Sequence, residues 1–340
     1  SMNIGDLLNE MGITWGWFQG GFKATTPAVL NGDGSTKTPA VCGSAHTFPL
    51  TTPNPPVEDG NPTSADIHTV PIPDYVAHHE PCMYYPSTRN PHHLRPSPDS
   101  PKEIGKTDQA NHQYDSSDFF NALAAGNLPA VSFIKAPAFQ DAHPGNSDPL
   151  DEQTFLVTVL NALQSSPDWS STAFFLTYDD SDGWYDHAMG PIVNPSVSPA
   201  DSLVPLNPAV PVNGITPTNA VGSGQISTSN TCATPGLTAG QANELNTRCG
   251  HGPRMPFLVA SPFAKKNFID HTTLDQTSII AFIETNFGLD FIDGPDAIDP
   301  SLPLGQGSFD HFAGSVMNMF DFSNPNENIL LLNPTTGEKM

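Results

Sequence analysis

The densest chemistry in the sequence is the run Tyr178-Asp179-Asp180-Ser181-Asp182-Gly183-Trp184-Tyr185-Asp186-His187, which holds four carboxylates and a histidine. Carboxylates this close repel one another unless a cation or hydrogen-bond donors offset the charge, so a bound divalent metal ion is the direct reading. Neighbouring residues of a regular strand point to opposite faces. Asp179 and Asp180 can therefore share one ion only where the chain turns, and Gly183 suits a turn. Spacing alone leaves a solvated acidic turn as the alternative. Two histidine groups stand elsewhere, in Tyr75-Val76-Ala77-His78-His79-Glu80-Pro81 and in Asp141-Ala142-His143-Pro144-Gly145. Neutral histidines ligate metals, and protonated ones donate hydrogen bonds to phosphate oxygens or to a leaving group.

These groups need elements to carry them. The acidic run follows an apolar strand, Ala173 to Tyr178, and His143 follows a strand over Ala130 to Ile134. Asp148-Pro149 offers a cap and a first-turn proline for a helix to about Gln164, with Phe155, Leu156, Val159, Leu160 and Leu163 at helical spacing. Further helices are predicted from Asp6 to Met11 and from Ser116 to Ala125, the latter capped by Ser116-Ser117-Asp118. An aromatic strand over Ile13 to Phe18 and another over Pro256 to Ala260 complete the strands. A last helix follows the capping box Thr273-Leu274-Asp275-Gln276, buries Ile279, Ile280, Ile283 and Phe287, and stops at Gly288. Helices alternating with nearly continuous apolar strands predict an α/β fold with a mostly parallel sheet covered on both faces. Ligands of such sheets sit at the carboxyl ends of the strands. The aromatic Trp15-Gly16-Trp17-Phe18 and Met317 to Phe322 runs read as packing.

Residues 24–74 read as an irregular loop region rich in Pro, Thr, Asn and Gly. Residues 190–248 carry eight prolines and three charges, too long for an ordinary connection, and read as an insertion or lid. Thirty-five acidic against twelve basic residues leave a net charge of −23, which excludes a nucleic-acid partner and argues against docking on an anionic membrane. No apolar run is long enough for a transmembrane helix. Proximity along the chain pairs Cys42 with Cys82 and Cys232 with Cys249, and two disulfides would place the protein in a periplasm or outside the cell.

Asp179 to Ala188 resembles an Asp-Glu-x-x-Gly-x-x-Asp-His-Val signature, and Gly252-Pro253-Arg254-Met255-Pro256 through Pro262 resembles Gly-x-Arg-Val-Pro-x-x-x-x-x-Pro. Together they resemble the phosphoesterase family of bacterial and plant phospholipases C and bacterial acid phosphatases. His78-His79-Glu80-Pro81, Asp108-Gln109-Ala110-Asn111-His112, Leu128 to Phe133 and Ser308-Phe309-Asp310 are similar to bacterial members as well. The resemblance implies a single phosphoesterase domain over 1–340 with an alkaline-phosphatase-like α/β/α sandwich. It also implies a divalent metal cofactor and hydrolysis of a phosphate-ester substrate through a phosphoryl-enzyme. Asp179 and Asp180 match the metal-binding pair, with Asp where many members have Glu. His78, His79 and His143 match the catalytic histidines around the phosphoryl group, and His187 and Arg254 match positions that would contact substrate or support the site.

The family's Glu-Asn-Arg-Ser-Phe-Asp motif and its Ser or Thr nucleophile do not occur here. The nucleophile is therefore expected upstream, in an N-terminal segment that completes the site. The expected activity is that of an acid-phosphatase-type phosphomonoesterase, with a phospholipase C as the alternative. A metal- and phosphate-binding portion inactive without its N-terminal segment is the third reading. Charged histidines favour mildly acidic operation.

Overall fold

The computed structural model describes residues 2–46, 71–143, 146–180, 220–221, 225–226, 254–292 and 309–340. The chain forms two compact units. The first comprises Ser1–Ala173, Ser261–Phe263 and Phe322–Met340, and the second comprises Phe174–Ala260 and Ala264–Asp321.

In the first unit, helix α1 (Ile4–Glu10) starts two residues before its predicted start, because Asn3 caps it and Asp6 closes the box back onto Asn3 N. Strand β1 (Trp15–Gln19) follows, with Trp15 and Phe18 fully buried, so the aromatic run is core as expected. Two hairpin-like ladders occupy the described part of 24–74. Strand β2 (Val29–Leu30) pairs with β3 (Thr36–Thr38), and β4 (Ala45–His46) pairs with β5 (Ile72–Pro73), both antiparallel. Strands β6 (Gln113–Asp115) and β7 (Val131–Lys135) flank β1 on either side, and both run parallel to it. Phe18 meets Tyr114 at 5.3 Å and Phe119 edge-on at 5.6 Å.

Helix α2 (Ser116–Ala124) is capped by Asp115, one residue before the predicted cap, because Asp115 accepts from Ser117 N while Asp118 accepts from Asp115 N. The Arg95 guanidinium grips both oxygens of Asp118, one at 2.7 Å. Helix α3 (Pro149–Gln164) matches its prediction, with Asp148 accepting from Leu150 N and Asp151 N. The carboxamides of Asn161 and Gln164 each bond both backbone groups of one residue, Leu332 and Leu330 respectively, and strap the C-terminal segment to the helix.

In the second unit, β8 (Phe174–Thr177) runs antiparallel to β11 (Phe257–Ala260), and β9 (Ala220–Val221) runs antiparallel to β10 (Gln225–Ile226). The sheet expectation holds for β6-β1-β7 and fails here. Apolar runs fix burial but not strand direction, and the long chain between β8 and β11 allows either sense. Helix α4 (Thr277–Phe287) ends at Gly288 in the left-handed conformation, as predicted. The expected capping box is not formed: the N-cap is Gln276 without a side-chain cap bond, and one residue earlier Asp275 accepts from Thr277 N while Asp275 N donates to Ser278 Oγ. Of its predicted apolar face only Ile283 is buried, with Glu284 next to it, while Ile279, Ile280 and Phe287 are half-buried. Phe320 packs on Phe282 at 5.7 Å.

The expected Cys42–Cys82 disulfide is absent, and both thiols are free. Cys42 Sγ instead lies 3.3 Å from the Phe22 carbonyl and 3.3 Å from His93 Nδ1. Cys82 sits in the short 3₁₀ turn Pro81–Tyr84. Burial first, and then the Glu80 charge, push the two thiols up to about 11 and about 12, which keeps both protonated. Cys232 and Cys249 lie outside the described residues, as does most of 190–248. No described helix is long and apolar enough to cross a membrane.

Asp118 is 3% exposed and serves both the α2 cap and Arg95. Asp118→Ala is expected to lower unfolding stability by about 3 kcal/mol in urea titration, since it leaves a half-buried guanidinium without its main partner. A loss below about 0.5 kcal/mol would show the pair to be no stronger than an exposed one.

Candidate functional site

In the first unit, chemistry gathers at the carboxyl ends of the three parallel strands. Beyond β1, Gly20 passes so close to Pro137 that a Cβ there would lie 2.3 Å from Pro137 N. Gly21 has φ +75° and would bring a Cβ within 2.5 Å of Tyr75 N. Only glycine tolerates this close crossing. Gln19 Nε2 donates to Val76 O at 2.6 Å and fixes the segment that leads to the histidines. His78 and His79 share a 3₁₀ turn, Ala77–His79, with rings 4.5 Å apart and nearly perpendicular. His78 is exposed and His79 half-buried, so the turn presents them at the surface.

Glu80 anchors that turn from inside. Its carboxyl is fully buried, accepts from Tyr75 OH at 2.8 Å through Oε2, and leaves Oε1 without a partner. Burial pushes Glu80 up to about 8, with the tyrosine bond pulling the other way, so it carries a proton at neutral pH. His143 stands exposed on a separate loop after β7, where Asp141 Oδ1 accepts from His143 N at 2.9 Å.

A cavity of about 350 Å³ opens at the same strand ends, lined among others by Gly21, Ser44, Asp74, Asp115, Phe139 and Thr158. His46 stands beside it, 2.6 Å from Asp74 through Nδ1 and stacked on Phe139 at 3.8 Å. The sequence reading missed His46 and Asp74. They meet only because β4 pairs with β5 across 28 positions of sequence.

Two further histidines, one of them in the Asp108–His112 motif, are architectural. His112 is buried, stacks on Trp15 at 4.3 Å and places Nδ1 2.9 Å from the Trp15 carbonyl, so Nδ1 carries the proton. Its Nε2 then accepts from the Thr107 hydroxyl at 3.1 Å. His93 packs on Phe22 at 4.2 Å and donates to the Phe22 carbonyl. Burial holds both below the usual histidine range, and neither is placed to bind a phosphate.

In the second unit, Asp179 and Asp180 leave the end of β8, both exposed. Asp180 N donates to Asp179 Oδ1 at 2.8 Å, which marks the turn the shared-ion argument required. The β8–β11 register sets Phe257 opposite Thr177, so the segment that enters β11, with exposed Arg254, lies along the segment that leaves β8. Gln276, at the start of α4, donates through Nε2 to Tyr178 O at 2.8 Å and Asp179 O at 2.7 Å. This neutral clamp holds the acidic turn; the sequence motif that contains Gln276 assigned it to a capping box instead. Two adjacent carboxylates are hard oxygen donors that suit a divalent cation. Among the described residues no group of three or more His, Cys, Asp or Glu could hold one. His187 lies outside the described residues.

The model of the Phosphoesterase family matches residues 1–290. The non-hemolytic phospholipase C of Pseudomonas aeruginosa is 30% identical over 205 residues, 60% of this chain and 25% of that protein. The non-hemolytic phospholipase C of Burkholderia pseudomallei is 32% identical over 213 residues, 62% of this chain and 25% of that protein. Phospholipase C A of Mycobacterium tuberculosis is 27% identical over 209 residues, 61% and 32% of the two chains. The matches thus span a quarter to a third of the length of these relatives.

Glu80 makes stability depend on pH. Below its ordinary value of 4.5 the carboxyl is protonated whether folded or unfolded, and its contribution is fully present. As pH rises towards about 8 the unfolded carboxyl ionises and the folded one does not, so stability falls. Glu284, raised to about 8 by burial and then by Asp310, acts in the same sense. Urea titrations from pH 4.5 to 8 are expected to show a decline on the order of a few kcal/mol, and Glu80→Gln should flatten it. An unchanged slope in that variant would remove Glu80 from the account.

Proposed function

Because the chain belongs to the phosphoesterase family, we propose that it carries part of the active site of a metal-dependent hydrolase that cleaves phosphoric ester bonds, with phospholipids as the substrate class. The supporting observation is that Asp179 and Asp180 leave β8, and Arg254 precedes β11, at the same end of the β8–β11 ladder, where Gln276 bonds the Tyr178 and Asp179 carbonyls. The names of the relatives favour the phospholipase C reading over the phosphomonoesterase one. The alkaline-phosphatase-like sandwich belongs to the same proposal. So does a periplasmic or secreted site of action, for which only the Cys232–Cys249 pairing remains as a redox argument.

Asp179 and Asp180 would hold a divalent cation, which when bound neutralises phosphate charge and lowers the pKa of a hydroxyl nucleophile. The nucleophile is proposed to come from outside these 340 residues. Gln276 keeps the acidic turn in place without adding charge. Arg254 would bind a phosphate oxygen in the bidentate manner that guanidinium allows. In the first unit, His78, His79 and His143 would donate hydrogen bonds to non-bridging oxygens, and one of them would protonate the leaving alkoxide. The Tyr75–Glu80 anchor would keep His78 and His79 at the surface of their turn.

The test is hydrolysis of phosphatidylcholine and of p-nitrophenyl phosphate with added divalent metal, by this chain and by a longer one that includes the upstream family motifs. Turnover of the phospholipid by the longer chain is the expected result, and preference for p-nitrophenyl phosphate would reinstate the phosphomonoesterase. An optimum above about pH 8 would remove protonated histidines from the mechanism.

Asp179→Asn and Asp180→Asn are each expected to lower kcat by roughly a hundredfold or more and to weaken metal binding. Gln276→Ala is expected to weaken metal affinity by roughly tenfold with its fold intact, as an outer-shell support does. Unchanged calorimetric metal titrations of both Asp variants would take the ion away from β8.

A further inference from the structure

The second unit carries a surface feature at odds with the composition of the whole chain. Lys265-Lys266 is the only pair of adjacent basic residues in a sequence with 12 Lys and Arg against 35 Asp and Glu. It opens the loop Lys265-Lys266-Asn267-Phe268-Ile269, every residue of which is exposed. Ile269 is 76% exposed and Phe268 46% exposed, an unusual placement for a large aliphatic and an aromatic side by side. Met317, 42% exposed, lies on the neighbouring 3₁₀ turn Val316–Met319.

The loop is built rather than slack. Its first residue is fixed at the backbone, where Lys265 N donates to Met319 O at 2.8 Å, and at the side chain, where Nζ donates to Asn318 O at 2.7 Å. Asn267 adopts φ +53° and turns the chain so that the Phe268 ring comes under Lys265 Nζ at 4.8 Å. At its far end, Asp270 Oδ1 accepts from Thr272 N and Oγ1, and Asn318 Nδ2 reaches Thr272 Oγ1 at 3.2 Å. The stem is therefore held by polar bonds while the apolar tip faces outward.

We propose that this loop is a membrane-interface anchor: Phe268 and Ile269, with Met317 beside them, enter the boundary between headgroups and acyl chains of a zwitterionic phospholipid bilayer, and Lys265 and Lys266 sit at the lipid phosphates. This rests on the phospholipid reading of the proposed function, and it names how the enzyme meets its substrate phase. Charge selects the occupant. Two lysines complement phosphate groups, while a net charge of −23 would be repelled by a strongly anionic leaflet, so a neutral surface of phosphatidylcholine is the fitting partner. Exposed aromatic and aliphatic tips flanked by lysines are the composition that partitions into such an interface.

The test is cosedimentation of this chain with phosphatidylcholine vesicles, which needs no turnover. Wild type is expected to partition onto the vesicles, and Phe268→Ser/Ile269→Ser to lose about tenfold or more in partition coefficient. Phe268→Trp keeps an aromatic tip, and its added emission is expected to shift to the blue when vesicles are present. Equal partitioning of wild type and the double variant, or a tryptophan at 268 whose emission ignores vesicles, would overturn the anchor. Stronger partitioning onto phosphatidylglycerol vesicles than onto phosphatidylcholine would overturn the choice of surface. Failure of the functional reading would appear separately, as absence of hydrolysis of a short-chain phosphatidylcholine below its micelle-forming concentration by the longer chain.

Discussion

The first unit depends on how tightly the chain closes at the carboxyl end of β1. A strand paired on both sides satisfies its backbone groups internally and can be buried completely, which is why Trp15 and Phe18 lie in the core. Past Gln19 that pairing ends, and two glycines let the chain cross against Pro137 and Tyr75 with no room for a Cβ. The closeness of that crossing brings Gln19 within reach of Val76 O, and Val76 leads directly into the His78-His79 turn. The cavity beside Asp74 and Asp115 follows from the same geometry, because the ends of all three strands open there.

In each unit the chain places a carboxyl group where water cannot reach it. Glu80 and Glu284 are each about 2% exposed or less, and each has buried oxygens with no partner. A carboxylate in such a place would be costly, and a carboxylic acid is not, so both groups keep their protons well above the ordinary glutamate range. Surface acids behave in the opposite way. Asp179 and Asp180 are exposed, and a cation would relieve the repulsion between two carboxylates so placed. The same side-chain chemistry thus supports a structural anchor inside and leaves an exposed carboxylate pair outside, and burial decides between them.

What the sequence made legible follows physical range. Helix α3 was readable to its first residue because Asp148-Pro149 and the apolar spacing act within a few positions of one another. The end of β8 was readable to within one residue, because the apolar run from Ala173 gives way to the acidic residues that follow Tyr178. Direction of strand pairing was not readable, and β11 proved antiparallel to β8. The Cys42–Cys82 pairing failed for a related reason: proximity along the chain says nothing of where each thiol points, and Cys42 turns to His93. His46 and Asp74, and likewise Gln276 and Tyr178, are pairs joined only by tertiary structure, so no local signal could announce them. The Asp108 to His112 motif carried a signal whose meaning was packing. Asn111 and His112 both hold positive φ, and the histidine ring lies flat on Trp15.

Gln276 shows why a supporting residue at an acidic site should be neutral. On the proposed reading, the turn at Asp179-Asp180 would have to be fixed in shape before a cation arrived and would not tolerate discharge by its own support. A lysine or arginine in the position of Gln276 would bind the carboxylates directly and compete with the ion for them. An aspartate or glutamate would add a third negative charge and loosen the turn. A carboxamide avoids both, because its donors take backbone carbonyls of Tyr178 and Asp179 and leave the carboxylate oxygens to the ligand. The α4 cap makes this placement available. With Asp275 occupied in capping through Thr277 N and Ser278 Oγ, Gln276 is relieved of any capping bond and its side chain is left to reach β8.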